Sequence, residues 1–257
     1  MTLMFPAFTR ASMALALALL APASLTAQAL GTSDNPLIAE GPEPNWLETV
    51  EVTERGHRIG KPQAEAALIE FISYTCSHCA NFVKQSGPAL DLAGVGPGNI
   101  SVEVRPVIRN GLDLAITMLA QCGDPKGFKA RHRMFLYSQS TWLPKAMNAP
   151  QAQQAIWARA DAAGRLNAAR NLDLDDMLVQ QQGMALQQVN ACLADNEAAK
   201  AILANDEADR TEFNVTGTPT FALDGKTLEG VYSWPQLAGV LQETFRKKAE
   251  TGELPTP

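Results

Sequence analysis

Excess positive charge is the first thing this sequence lacks. Twenty-one Lys and Arg stand against 27 Asp and Glu, a formal charge of −6 over 257 residues. A sequence-blind nucleic-acid binder needs clustered cations facing phosphates, so that class is excluded. Long apolar runs are missing as well. Beyond the N-terminal segment no stretch reaches the roughly 18 uninterrupted apolar residues that read as a membrane span. Internal repeats and linker-like low complexity are absent. Cysteine is scarce: four residues in a chain this long cannot build a disulfide-dense mini-scaffold, so each one asks for its own account. What is present is ordinary for a globular protein. An apolar fraction of 46% with 18 Gly and 16 Pro excludes wholesale disorder and collagen-like repeats. The length fits one large domain, or one domain carrying a sizeable insertion.

The N-terminus sets the expected compartment. Met1 to Arg10 carries one positive charge, an Ala/Leu-rich run follows from Ala11 to Ala21, and Ala27-Gln28-Ala29 supplies a small–x–small cleavage pattern. The run has about half the length needed to cross a bilayer and has no polar face, so residues 1–29 read as a secretory signal peptide. No cysteine follows that site to take a lipid. The mature chain begins near Leu30, loses only Arg10 among its charges, and enters an oxidising compartment where disulfides persist.

Residues 30–47, with Pro36, Pro42 and Pro44, read as an extended lead-in. A strand is expected over 49–53. Ala66 to Ser73 is a nearly continuous apolar run, the pattern of a strand buried on both faces. A helix should run from about Cys76 to Ser86 and end at Gly87-Pro88. A further strand should cover Ile100 to Ile108, which makes a parallel crossover unit. From about 112 to 212 the chain turns Ala-, Gln- and Leu-rich with helical spacing. Asp124-Pro125 opens one helix, and Pro150, Gly164 and Gly183 punctuate others. Strand character returns at Thr220–Leu223, and Asp224-Gly225 signals a hairpin into Lys226–Glu229. Ser233-Trp234-Pro235-Gln236 reads as a capping box opening a last helix, with Leu237, Val240, Leu241 and Phe245 on one face. The resulting organisation is an α/β fold whose first half (48–111) and second half (213–250) complete one sheet around an inserted helical domain (112–212), with 251–257 as a tail.

Chemistry concentrates at Cys76-Ser77-His78-Cys79, a C-x-x-C at a helix start just after a buried strand. Unpaired N–H groups and the macrodipole of a helix N-terminus favour an anion, so the Cys76 thiolate should be stabilised and its pKa should fall below that of a free thiol. Each unit of that fall favours the reduced, ionised form by about 1.4 kcal/mol and makes the disulfide a stronger oxidant. His78 lies where it can donate a hydrogen bond or charge to Cys76. Cys79, one turn deeper, should be the resolving thiol. Two plainer readings stand beside this one. Half of a zinc site needs two more ligands, and Cys122, Cys192, His57 and His132 are isolated. A purely structural disulfide over so short a loop would stabilise little.

The segment Glu70-Phe71-Ile72-Ser73-Tyr74-Thr75-Cys76-Ser77-His78-Cys79, with Thr216-Gly217-Thr218-Pro219-Thr220-Phe221 far downstream, resembles the DsbA-like thiol–disulfide oxidoreductases of the thioredoxin superfamily. The resemblance covers nearly the whole mature chain. It implies a thioredoxin-like fold with an inserted all-helical domain and a redox-active Cys76–Cys79 pair. It matches Pro219 to a cis-proline facing that pair, and gives Thr218 backbone groups that hold an extended substrate. Ser77 departs from the Pro of the best-known members, which leaves the reaction type but puts the oxidising strength in question. Glu70 matches an acid beneath the active site that assists proton transfer, unless it simply points out at a sheet end; His78 could likewise turn away from sulfur. Cys122 and Cys192 are expected to pair in a structural disulfide, as in some relatives with an extra bridge in the helical domain. Free buried thiols or a second redox pair are the alternatives.

The expected function is that of a monomeric periplasmic dithiol oxidase with no cofactor and no metal. It would act on reduced, unfolded exported proteins and be reset by a membrane quinone-linked partner of DsbB type. An isomerase or reductase of the same fold is the second reading, although residues 30–47 are too short and proline-broken for a substantial oligomerising helix. The third is a non-catalytic binding module or holdase using an apolar groove near Trp142 and Trp157, residues that read more simply as helical core.

Overall fold

The apolar run ahead of the C-x-x-C becomes the strand its composition demands: from Ala66 to Ile72 only Ala67 is exposed. The computed structural model describes residues 44–252. The expected signal peptide, most of the lead-in and the end of the tail lie outside the described residues. The strands are β1 (Val50–Val52), β2 (His57–Ile59), β3 (Ala66–Ile72), β4 (Ile100–Pro106), β5 (Thr220–Leu223) and β6 (Lys226–Thr227). They form one sheet of order β1-β2-β4-β3-β5-β6. Only β3 and β4 run parallel, which requires a crossover, and helix α1 (Ser77–Ala89) supplies it. The downstream hairpin pairs antiparallel with β3, Glu70 opposite Phe221 and Phe71 opposite Thr220. Asp224 and Gly225 both take positive φ at its tip, a conformation glycine adopts freely and aspartate tolerates.

Side chains alternate across β3. Leu68 and Ile72 join the large core, shared with Phe82 and Val83 of α1 and with Leu237 and Leu241 of the last helix, α10 (Trp234–Thr251). Ile69 and Phe71 face the other way, toward Phe213 and Val215. Between β4 and β5 lie eight helices of the described residues: α2 (Gly111–Gln121), α3 (Phe128–Tyr137), α4 (Gln139–Met147), α5 (Gln151–Ala158), α6 (Ala162–Asn171), α7 (Leu174–Gln182), α8 (Leu186–Ala194) and α9 (Asn196–Glu212). Trp142 and Trp157 are buried among them, their indole N–H groups donating to Phe135 O and Asn167 Oδ1. No helix among the described residues is long and apolar enough to cross a membrane.

Cys122, at the end of α2, is bonded to Cys192 of α8, 70 residues along the chain, so the sulfurs a zinc site would need are joined to each other. In the chain-entropy description, closing a loop of that length restricts the unfolded chain by about 4 kcal/mol. Replacing both cysteines with alanine should therefore lower the urea-derived stability by about that amount. An unchanged midpoint would show that the bond constrains nothing the packing does not already hold.

Several local expectations are corrected. The first long helix does not end at Gly87-Pro88. Pro88 lies inside α1, and the chain winds on as a π-helical turn, Leu90–Val95. Pro88 lacks the N–H for the i−4 ladder but keeps a helical φ. Beyond it, Leu90 and Val95 are buried and Asp91 pairs with Arg133 at 2.7 Å and Lys129 at 2.9 Å, so packing carries the helix past its breaker. Gly164 falls in the first turn of α6 rather than between helices, and a Cβ there would lie 2.7 Å from the Ile156 carbonyl oxygen. Trp46–Glu48, at the end of the lead-in, forms a 3-10 turn capped by Asn45 instead of an extended strand. Short β2 gave no recognisable signal. The second hairpin strand is only Lys226–Thr227. The expected capping box is not made: Gln236 Oε1 accepts from Tyr232 N and Ser233 Oγ rather than from the Ser233 N–H, and Ser233 accepts nothing from the helix.

Candidate active site

Cys76 occupies the N-cap of α1, with extended backbone (φ −92°, ψ 116°), and its carbonyl accepts the first helical bond from Ala80 N at 3.2 Å. The N–H groups of the first turn therefore converge on its side chain. The Cys76 side chain accepts no capping hydrogen bond, but the N–H groups of His78 and Cys79 at this helix end favour the anion and help lower its pKa. Across the site, the Cys76 sulfur lies 3.2 Å from the carbonyl oxygen of Thr218, a contact its S–H bridges only while the thiol is protonated, and the Thr218–Pro219 peptide bond is cis. This places the end of β5 against the start of α1, a contact supported below by Phe82 packing on Phe221 with ring centroids 4.6 Å apart. Cys76 and Cys79 are in the dithiol form and both are buried, Cys79 completely.

The two thiols are driven apart in acidity. The hydrogen bond from the Cys79 thiol is the largest cause that lowers Cys76 to about 5; the Thr218 side chain and the two backbone N–H groups add to it, while burial opposes. Burial, first, and the neighbouring Cys76 push Cys79 well above an ordinary thiol. Cys76 is thus a thiolate at neutral pH and a good leaving group, and Cys79 a proton-holding thiol.

The remaining sequence-chosen residues fall at different distances from this centre. Ser77 and the His78 imidazole are exposed, and no hydrogen bond joins the imidazole to Cys76; His78 acts on the sulfur through its backbone N–H. Glu70 does not point out at a sheet end. It is 4% exposed and faces the second and third turns of α1, at Val83, Ser86 and Gly87. There it adjoins a cavity of about 30 Å³, also lined by His132 and Arg133. That is room for a water molecule. Burial raises its carboxyl to about 7, against the pull of Arg133. It is not among the causes that shift either thiol.

Sequence reasoning overlooked four buried residues that hold the turn leading into Cys76. Asp113 in α2 and Gln139 at the start of α4 bond to Ser73, Tyr74, Thr75 and Cys76. Tyr74 Oη and His132 Nδ1 lie 3.1 Å apart. Asp113 could have been found by the argument used for Glu70, since it is the one charge in the apolar run Gly111–Gln121. Gln139 carries no such signal. Beside this turn a groove of about 620 Å³ runs from Thr75 past Leu112 and Leu143 to Met147 and Trp157.

A family model described as thioredoxin matches residues 52–243. A protein-disulfide isomerase from Novosphingobium aromaticivorans, known by crystal structure, is 30% identical; the match covers 73% of this chain and 95% of that one, with a TM-score of 0.70. The alpha-DsbA1 protein of Wolbachia pipientis shares the fold at 18% identity and a TM-score of 0.59, over 76% of this chain and 92% of its own. A Rickettsia bellii protein named as a candidate protein-disulfide oxidoreductase is 23% identical over 80% of this chain and 71% of its own; for a Rickettsia conorii relative of the same name the figures are 23%, 79% and 65%.

Proposed function

The chain belongs to the thioredoxin family, in its DsbA-like branch, and on that premise we propose that it is a periplasmic thiol–disulfide oxidoreductase that introduces disulfide bonds into exported proteins. The observation that carries the reading is the Cys76 sulfur, held at the α1 N-terminus against the Thr218 carbonyl with Cys79 behind it. In the oxidised enzyme, a substrate thiolate attacks the Cys76 sulfur and breaks its bond to Cys79, whose sulfur takes the electron pair and a proton. A second substrate thiolate then attacks the substrate sulfur of the mixed disulfide and expels Cys76 as a thiolate. The substrate gains one disulfide and the enzyme is left as the dithiol. The acidity of Cys76 makes it the better leaving group, which drives the second step toward oxidised substrate.

In this reading Thr218 and Pro219 hold an extended client, and Glu70, Ser77 and His78 support the pair. Reduced exported proteins are the clients of a monomeric enzyme, and a membrane quinone-linked protein of DsbB type restores the disulfide. The isomerase reading has one specific support, the description of the 30%-identical relative as a protein-disulfide isomerase. A single preparation separates the two. The oxidised protein should form disulfides in a reduced, unfolded test protein, stoichiometrically and within minutes, while repairing a scrambled one poorly. Repair without oxidation would reverse the assignment.

A further inference from the structure

The turn Ser73–Tyr74–Thr75–Cys76 joins β3 to α1; Cys76 N closes it on Ser73 O, and the hydroxyls of Ser73 and Thr75, the Thr75 N–H and the carbonyls of Tyr74 and Cys76 are bonded by side chains of the helical block. Asp113, 0% exposed, accepts four bonds. Its Oδ1 takes Ser73 Oγ and Thr75 N, each at 2.9 Å, and its Oδ2 takes Thr75 Oγ1 at 2.9 Å and Arg109 N at 3.1 Å. Asp113 stands at the third position of α2, where Asn110 caps its own N–H. Rather than return to the Asn110 N–H, as the acid of a capping box would, its carboxylate is turned onto the turn below the reactive cysteine. Gln139 is buried at the start of α4, and its amide nitrogen donates to Tyr74 O at 2.6 Å and Cys76 O at 3.0 Å. Both hydrogens are used, and one of them fixes the carbonyl of the N-cap residue itself.

We propose that Asp113 and Gln139 are positioning residues of the redox pair: two side chains of the inserted helical block that fix the peptide planes of 73–76 and so aim the Cys76 sulfur at the N–H groups of His78 and Cys79. The physical ground is that N–H···S bonds are directional, whereas a free turn lets the N-cap side chain rotate out of their convergence. The insertion thereby tunes the chemistry it flanks, in addition to covering it. The inference rests on the function proposed above and goes beyond it by assigning the control of the sulfur's reactivity to elements outside the thioredoxin-like halves.

The test is the acidity of Cys76, followed by thiolate absorbance and by the pH dependence of alkylation, in wild type and in Gln139→Met, Asp113→Asn and Thr75→Val. Methionine keeps the volume of Gln139 and removes both donors. Asparagine sets an NH₂ against Thr75 N–H or Arg109 N–H, donor facing donor. Valine breaks the Asp113 bond from the loop side at a half-buried position, and serves should either core variant fail to fold. Each variant should raise the Cys76 midpoint by about one unit, roughly tenfold less thiolate at a fixed acidic pH, and shift the glutathione equilibrium toward the enzyme disulfide by a similar factor. Leu178→Ala, a cavity variant buried in α7, should lose stability and leave that midpoint in place. Wild-type midpoints in all three variants, or an equal shift in Leu178→Ala, would overturn the inference alone. An ordinary thiol midpoint in the wild type would instead overturn the proposed function.

Discussion

Cys79→Ala should abolish multiple turnover, leave the protein joined to its substrate through Cys76, and make Cys76 a less acidic thiol, all from the loss of one buried sulfur. Turnover disappears because the enzyme can no longer store an oxidised state within itself. A mixed disulfide with Cys76, once made, also has no internal thiol to displace it. The change in acidity has a separate cause. The thiol of Cys79 makes the strongest of the bonds that hold Cys76 near 5, and alanine removes it while the backbone N–H groups and Thr218 remain. The midpoint should therefore rise part of the way toward 9, with each unit costing about tenfold in thiolate at a given pH below it. Alkylation of the reduced protein between pH 4 and 9 reads this directly, and denaturing gels without reductant show the trapped substrate. A Cys79→Ala protein that still turns over, or whose Cys76 titrates as in the wild type, would place the working disulfide elsewhere.

Glu70→Gln should stabilise the protein at pH 8 by about 3 kcal/mol and change little at pH 4. The sign follows from burial. The folded protein holds a proton on Glu70 up to about pH 7, whereas the unfolded chain releases it near 4.5. Between those values folding takes up a proton. The stability Glu70 contributes is full below pH 4.5 and is lost as pH rises through 7. Glutamine keeps the shape, carries no charge and removes that slope. His57 and His132 act in the opposite sense. Burial lowers them to about 4 and about 3, so the unfolded chain binds protons the folded one refuses, and stability falls as pH drops below 6.5. The measurement is urea unfolding of wild type and variant across pH 4 to 8. Curves that run parallel throughout would show that Glu70 ionises freely in the folded state. Because Glu70 is not among the groups that set the acidity of Cys76, the variant should keep the Cys76 midpoint.

How much of this was written in the chain depends on the range of the forces involved. β3, the start of α1, the Asp224-Gly225 turn and the eight-helix block were legible because each follows from patterns a few residues long: a continuous apolar run, a capping position, a turn dipeptide, helical spacing. The place of Cys76 at the start of α1 was legible for the same reason, since a C-x-x-C just after a buried strand marks a helix start. Local rules failed where packing from far along the chain overruled them. Gly87-Pro88 read as a helix stop and Gly164 as a break between helices, yet Arg133 and Lys129 hold the chain beyond the first, and the Ile156 carbonyl leaves no room for a Cβ at the second, inside α6.

By itself the sequence determined where the C-x-x-C falls, just after a buried strand and at a helix start, and where the sheet is interrupted. Only the tertiary structure decided what surrounds that motif. It set Thr218 142 residues away against the Cys76 sulfur, buried Glu70 beside a small cavity between α1 and α3, and brought Asp113 and Gln139 under the turn that carries the site. The reason is physical. Propensity, capping and patterning act over one or two turns of chain, but the acidity of a buried sulfur depends on dipoles and donors within a few ångströms in space, and the sequence does not order residues by that distance.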